Sequence, residues 1–279
     1  MRLGRRRLEI KTAEQLAAMR EAGLVVAAAL RATAAAVAPG TTTGQLDAIA
    51  QEVIADAGAQ PSFLGYQGFP AHICVSVNDE VVHGIPGDRV LAEGDLVSID
   101  CGAIVRGWHG DAAVTVFAGA PGSDAAVRLS DATRDSLWAG LRAARDGATV
   151  GDVGFAVQSS VAAAAARDGV AYGIVDGYTG HGIGSAMHMD PDVPNTGRTG
   201  RGRALRAGMA IAVEPMVTLA RRAGDDGSDS RQLDDGWTVV TADGGLAAHW
   251  EHTVAITSAG PWVLTAEDGG GLLVGDPLA

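Results

Sequence analysis

Lysine is all but missing from this chain: Lys11 is the only one, and arginine carries the rest of the positive charge. Basic residues number 21 against 33 acidic ones, a formal net charge of −12. A body this acidic does not present the basic surface that sequence-specific nucleic-acid binding requires. The local exception is the arm MRLGRRR at residues 1–7. Cysteine is equally scarce. Cys74 and Cys101 form no CxxC pair, which excludes a disulfide framework and points to a reducing cytoplasm. No apolar run reaches the ~20 residues of a membrane span, so no membrane contact is expected. Residues 5–38 imitate a secretory leader, with a basic start, an apolar run and an Ala-Val-Ala end. Lys11, Glu14, Arg20 and Glu21 interrupt the imitation, and an ordinary helix is expected instead.

What is present is a chain of 279 residues with 47% hydrophobic content, enough for a sizeable core. Thr12 with Gln15 makes a capping box that opens a helix over residues 12–37, stopped by Pro39 and Gly40. A second helix is predicted over 43–57, with Leu46, Ile49, Ala50, Val53 and Ile54 on one face. Helices recur over 128–146 and 150–167. The stretch LRATAAAVAPGTTTGQLDAIAQEVI (30–54) lies on LWAGLRAARDGATVGDVGFAVQSSV (137–161) without a gap, and Gly40/Gly147, Thr42/Thr149 and Gly44/Gly151 coincide. The shared glycines point to a duplicated unit of helix, turn, helix and strands. Strands are predicted at 73–77, 96–99, 112–117, 209–213, 237–241 and 249–256. Between them fall the loop PSFLGYQGFP at 61–70 and a hydrophilic insertion at 221–235, read as a solvated surface loop. The expected organisation is an arm at residues 1–11, one domain over 12–265 with halves at 12–125 and 126–265, and a disordered Gly-rich tail at 266–279.

Five polar residues stand where apolar ones are expected. Asp100 ends one apolar strand and Asp111 opens the next, in a hairpin turned through Gly102 and Gly107. Aspartates are depleted in strands, so the pair needs a reason. Two turn residues capping a hairpin would be reason enough if they stood alone. His181 in GHGIG, Glu214 after an apolar run and Glu251 inside another share their setting. A buried carboxylate without a partner is strongly penalised. Four of them converging with a histidine on one sheet would carry −4, which two divalent cations balance. Oxygen-rich ligation with a single imidazole suits Mn²⁺, Fe²⁺, Co²⁺ or Zn²⁺ and excludes a thiolate zinc site.

With its segments NDEVVHGIP (78–86), IDCGAIVRGWHGD (99–111), GHGIGSAMHMDP (180–191), AVEPM (212–216) and GWTVVTADGGLAAHWEHTVAIT (236–257), the chain resembles the type I methionine aminopeptidases over residues 12–265. The resemblance implies an α/β (α+β) "pita-bread" fold, two pseudo-symmetric halves around a curved antiparallel sheet. It implies two divalent metals, with Asp111 and Glu251 bridging them, Asp100 on one, and His181 and Glu214 on the other. His188 would hydrogen-bond the substrate carbonyl, His83 would lie near the scissile nitrogen, and Glu214 would move a proton from the attacking water to the leaving amine. Phe63, Tyr66, Phe69, Cys74, Met187 and Trp237 would wall a pocket for the methionine side chain, an apolar and sulfur-friendly set. The implied activity is removal of the initiator methionine from nascent polypeptides whose second residue is small, by a metal-activated water. The implied protein is a cytoplasmic monomer that meets nascent N-termini, and its basic arm suggests a weak, salt-sensitive ribosome contact. Two positions depart from the family's pattern: Gln67 stands where a histidine is common, and Phe69 where a tyrosine is.

Two rivals share the fold. Prolidases and aminopeptidases P carry an additional N-terminal domain, for which no room is expected here. Metal-free interaction proteins on this scaffold lose ligands, whereas all five are present. His109 and Asp111 form the start of a facial-triad motif, but such a site needs one carboxylate rather than four. His72, His249 and His252 read as surface or backing residues, with His252 on the face opposite Glu251. Cys101 reads as a small buried apolar residue.

Overall fold

The computed structural model describes residues 8–220 and 227–271. Most of the expected arm (residues 1–7), residues 221–226 of the insertion and residues 272–279 of the tail lie outside the described residues. Among the described residues the helices come in two pairs, α1 (Ala13–Ala35) with α2 (Thr43–Asp56) and α3 (Asp124–Ala143) with α4 (Val150–Asp168). The α1 helix starts at its capping box, where Thr12 Oγ1 accepts from Gln15 N and Gln15 Oε1 accepts from Thr12 N. Leu16, Met19, Val26 and Leu30 recur at helical spacing on its buried face. The α3 helix begins four residues before its expected start, because Ser123 supplies an N-cap hydroxyl to Ala126 N. It also ends early, since Ala144 leaves helical geometry with ψ of 71°.

The duplication is legible bond by bond. Thr42 and Thr149 each cap the second helix of their pair with a capping box. Gly40 N bonds Leu91 O and Leu91 N bonds Thr41 O; in the second half Gly147 N bonds Leu205 O and Leu205 N bonds Ala148 O. Gly44 N bonds Gly87 O and Gly151 N bonds Arg201 O. Gly40 and Gly147 share a left-handed φ of 91° and 84°, which a side chain would resist.

A nine-stranded antiparallel sheet carries both halves. Its strands here are β1 (Ile73–Val77), β2 (Leu96–Val105), β3 (Trp108–Phe117), β4 (Gly180–Gly182), β5 (Met189–Val193), β6 (Ala210–Val213), β7 (Glu251–Ile256) and β8 (Pro261–Val263). The order runs from Gln60–Pro61 through β2, β3, β7, β6 and β4 to β5, with β1 also paired to β2 and β8 to β7. One face is apolar and covered by helices: Ile73, Ile99 and Cys101 pack with Val26, Leu46 and Ile54, and Ile211, Val213 and Val254 pack with Leu137, Leu141 and Val153. The alternation of strand side chains sends the intervening residues to the other face.

Three expectations are corrected. The central hairpin is longer than read, ten residues a side, and it turns at Arg106-Gly107 with φ of 52° and 82°. Such a two-residue turn matches the strand twist. Asp100 and Asp111 therefore sit inside the strands rather than at their ends. Ser230–Gln232 of the insertion is a strand paired with Val239–Thr241, which pairs in turn with Glu80–Val82. The tail is folded as far as residue 271. Arg20 donates to the carbonyls of Leu264, Ala266 and Glu267, and Val263 N bonds Gly269 O at 3.0 Å.

Candidate metal centre

Strand register arranges the polar residues in two rows across the face turned away from the helices. Cys74 lies opposite Asp100, Asp100 opposite Ala113, and Ala113 opposite Glu251. Glu214 is the next residue after Val213, which pairs with His252, so it extends this row beside Glu251. In the second row Asp111 lies opposite Gly102, Thr253 lies opposite Ala212, and the pairing of Gly182 with Ile211 sets His181 beside Ala212. Residues two apart on a strand share a face, so both rows point the same way. The residues interspersed among them are mostly small. Gly102 lets the 61–70 loop close down, since a Cβ there would meet Phe63 Cε1 at 2.8 Å.

Asp111, His181 and Glu251 are buried, and each offers a ligand atom within 4.8 Å of the others. His181 Nε2 lies 3.4 Å from Glu214 Oε1. Burial pushes the Asp100 carboxyl up to about 7. Burial first, and then neighbouring carboxylates, raises Asp111, Glu214 and Glu251 well above the ordinary range. Burial lowers His181 to about 3. Asp100 Oδ1, Asp111 Oδ1 and Glu251 Oε1 are buried with no hydrogen-bond partner. Orphaned buried carboxylate oxygens of this kind are costly, and a bound cation resolves the cost. The residues present therefore fit a divalent-metal site.

All five expected ligands line one cavity of about 370 Å³, together with Phe63, Tyr66, Phe69, Cys74, His83, Met187, His188 and Trp237. Phe69 meets Phe63 and Trp237 edge-on at 6.4 and 5.1 Å, and burial holds the Cys74 thiol protonated. His188 stacks on Tyr66, bonds its hydroxyl through Nδ1 at 2.9 Å, and lies 4.2 Å from the His181 ring. His83 adopts a left-handed φ of 61° beside Trp237; strain of this kind in a non-glycine residue gathers at functional sites. Gln67, also left-handed at φ of 50°, lines the cavity too.

The other histidines stand apart from the ligand set. His72 bonds Asp47, His109 bonds Ser62, and His252 bonds Thr265 on the helix side. His249 is buried behind the site, its Nε2 unpartnered and 3.8 Å from Glu214 Oε2. Sequence reasoning left it a surface or backing residue, and the structure makes it a backing one; the expected single strand over 249–256 is in fact broken at Trp250. Thr179, Met189 and Asp192 also line the cavity unforeseen, since none belongs to a polar-in-apolar pattern. Asp235 in the insertion accepts from Trp237 N and Thr238 N, both at 2.8 Å, and so braces a pocket wall.

Residues 17–258 match the model of metallopeptidase family M24. The chain belongs to that family. Its placement among the M24 methionine aminopeptidases rests on closer relatives. Methionine aminopeptidase 1 of Mycobacterium tuberculosis is 57% identical over 263 residues, covering 94% of this chain and 96% of its own. The crystal structure of a methionine aminopeptidase from Thermotoga maritima superposes with a TM-score of 0.86 at 38% identity, over 94% of this chain and all of that one. A prolidase from Pyrococcus furiosus shares the fold alone, at 20% identity and a TM-score of 0.71, and the match spans 65% of its length. M24 membership and the Asp111–His181–Glu251 cluster together make this a metal-dependent peptidase. No helix among the described residues is long and apolar enough to cross a membrane.

Proposed function

We infer that this chain removes N-terminal methionine from polypeptides whose second residue is small. One observation carries the reading: the five ligand-type residues and the apolar pocket of Phe63, Phe69, Cys74, Met187 and Trp237 line a single cavity. Thioethers pack well against aromatic edges, and a pocket of this size suits an unbranched side chain. The site is read as dinuclear, because four carboxylates balance two divalent ions; Mn²⁺, Fe²⁺, Co²⁺ and Zn²⁺ all fit the donor set.

Asp100, Asp111, His181, Glu214 and Glu251 would hold the ions, which when bound supply an activated water and an electrophile for the carbonyl. The protein's own groups do the rest. In the tautomer where the Tyr66 hydroxyl donates to His188 Nδ1, Nε2 carries the proton and donates it to the substrate carbonyl oxygen as charge develops there. Burial holds His83 neutral at pH 7, with its pKa near 4, so it contacts the scissile amide without bringing a second charge. Glu214 accepts the proton of the attacking water and delivers it to the leaving amine. The aromatic walls exclude water from the first residue.

The test is Mn²⁺-reconstituted protein on Met-Ala-Gly, Leu-Ala-Gly and Ala-Pro-Gly. Met-Ala-Gly is expected to lead Leu-Ala-Gly by more than tenfold in kcat/KM, a gap above about 1.4 kcal/mol. A smaller gap makes it a general aminopeptidase, and preferred cleavage of Ala-Pro-Gly makes it a proline-specific one. On this reading the protein is a cytoplasmic monomer whose partners are nascent N-termini. Its arm at residues 1–7 adds a weak contact with ribosomal phosphate. Salt-sensitive co-sedimentation with ribosomes should weaken when residues 2–7 are removed; unchanged co-sedimentation removes the arm from the account.

A further inference from the structure

A second cavity, of about 530 Å³, adjoins the first: His188 and Met189 line both. Its other walls are Leu8, Glu9 and Ile10 on one side and Ser185 and Ala186 on the other. At its edge a carboxylate is held in a built cradle. Glu9 Oε2 accepts from Ser185 N at 3.0 Å and Oε1 from Ser185 Oγ at 2.7 Å. The chain's sole lysine, Lys11, lies 3.5 Å from Oε2 with its side chain 3% exposed, while that of Glu9 is 25% exposed. Lys11 is itself anchored from its main chain to Gly208 O at 2.7 Å. Gly184 leaves room for this carboxylate, since a Cβ there would collide with Glu9 Oε2. A carboxylate has about four acceptor sites, and the cradle uses three. What faces the cavity is therefore a fixed negative group, its buried counter-charge beyond a ligand's reach.

Resting on the reading above, we propose that this cavity receives the third residue of the substrate, and that Glu9 makes it a subsite favouring basic over acidic side chains. The scissile carbonyl lies at His188. An extended chain advances about 3.3 Å per residue, so the residue after the small one reaches the space beyond His188 and Met189. The alternative exit, a cavity of about 210 Å³ that also reaches His83 and His188, is smaller and is bounded by Val82, Met216 and the buried His249. Leu8, Ile10, Ala186 and Met189 supply apolar wall for the stem of a lysine or arginine, whose charged end meets Glu9.

The experiment compares kcat/KM on two amidated peptides, Met-Ala-Lys-Gly and Met-Ala-Glu-Gly, with Mn²⁺-loaded protein. The Lys:Glu ratio cancels any loss of folded protein. It should be at least about threefold in the unmodified protein, as a partly exposed charge pair permits. It should fall towards one in Glu9→Gln and shift towards the Glu peptide in Ile10→Lys, which leaves the cradle untouched. A ratio near one in the unmodified protein overturns the proposal. So does a ratio that neither variant moves, because the discrimination then lies elsewhere. If Met-Ala-Gly itself is not cleaved in preference to Leu-Ala-Gly, the parent reading fails first, and the subsite falls with it.

Discussion

At the scale of single residues the site is a problem of charge without solvent. Asp111 and Glu251 are each at most 3% exposed, and each leaves one oxygen unpartnered. Asp111→Ala or Glu251→Ala should therefore release the ions and abolish turnover, measured as metal content after gel filtration alongside Met-Ala-Gly hydrolysis. Near-normal turnover with added Mn²⁺ would falsify the shared-ligand assignment. On the proposed reading His188 acts differently, meeting the substrate through a ring nitrogen while its Nδ1 is hydrogen-bonded to Tyr66. His188→Ala should keep its metal and lose on the order of 10²–10³ in kcat, the cost of removing one donor to a developing oxyanion. A variant that loses metal instead would make His188 part of the ligand set.

At the scale of elements the site depends on close approaches that glycine permits. The β3 strand crosses α1 at Gly110, where a Cβ would lie 2.7 Å from Gly23 N and 2.9 Å from its Cα. Both neighbours are main chain, so neither can turn aside. Gly110→Ala should cost about 1–3 kcal/mol through overpacking. It is read as a lower urea midpoint at unchanged slope, with activity falling as the Asp111 end of the hairpin shifts. An unchanged midpoint would mean that helix and strand slide apart freely. The helix joins were legible beforehand because Gly40/Gly147, Thr42/Thr149 and Gly44/Gly151 serve local geometry: a left-handed turn, a cap, and a backbone contact. The hairpin was misjudged for a related reason. Gly102 and Asp111 look like turn residues until strand pairing sets them opposite each other.

At the scale of the whole molecule, stability should depend on pH in a way that metal reverses. In the metal-free protein burial raises four carboxylates, Asp100 to about 7 and Asp111, Glu214 and Glu251 well above their ordinary 3.8 to 4.5. Groups that hold protons more tightly when folded contribute stability that is lost as pH rises towards the folded value. Burial lowers His181 and His249 to about 3, and His83, His109 and His252 to about 4, all from 6.5. Those histidines favour the folded state increasingly up to pH 6.5 and add nothing more beyond it. Above pH 6.5 the carboxylates act alone. Protein stripped with chelator should thus lose thermal stability between pH 6.5 and 8.5, and Mn²⁺ should restore it by a margin that grows with pH. A stripped protein whose melting temperature stays level across that window would mean the carboxylates are not held protonated.

Residue types and short spacings, by themselves, marked the five candidate ligand residues, the helix caps and the duplicated architecture, while the expected pocket came from the resemblance to the methionine aminopeptidases. Each of these is written in a few adjacent residues or in a pattern of period two or 3.6. The tertiary structure alone decided which residues meet across the sheet. Register put Cys74, Asp100, Ala113, Glu251 and Glu214 in one row, although they span more than half the chain. Long-range packing also buried His249 behind Glu214, turned the insertion's Asp235 into a brace for Trp237, and carried Leu8–Ile10 to the rim beside His188. The physical reason is the same throughout. A side chain's chemistry is local, whereas its neighbours across a sheet or a cavity follow from how distant segments pair, and no short window of sequence contains both partners.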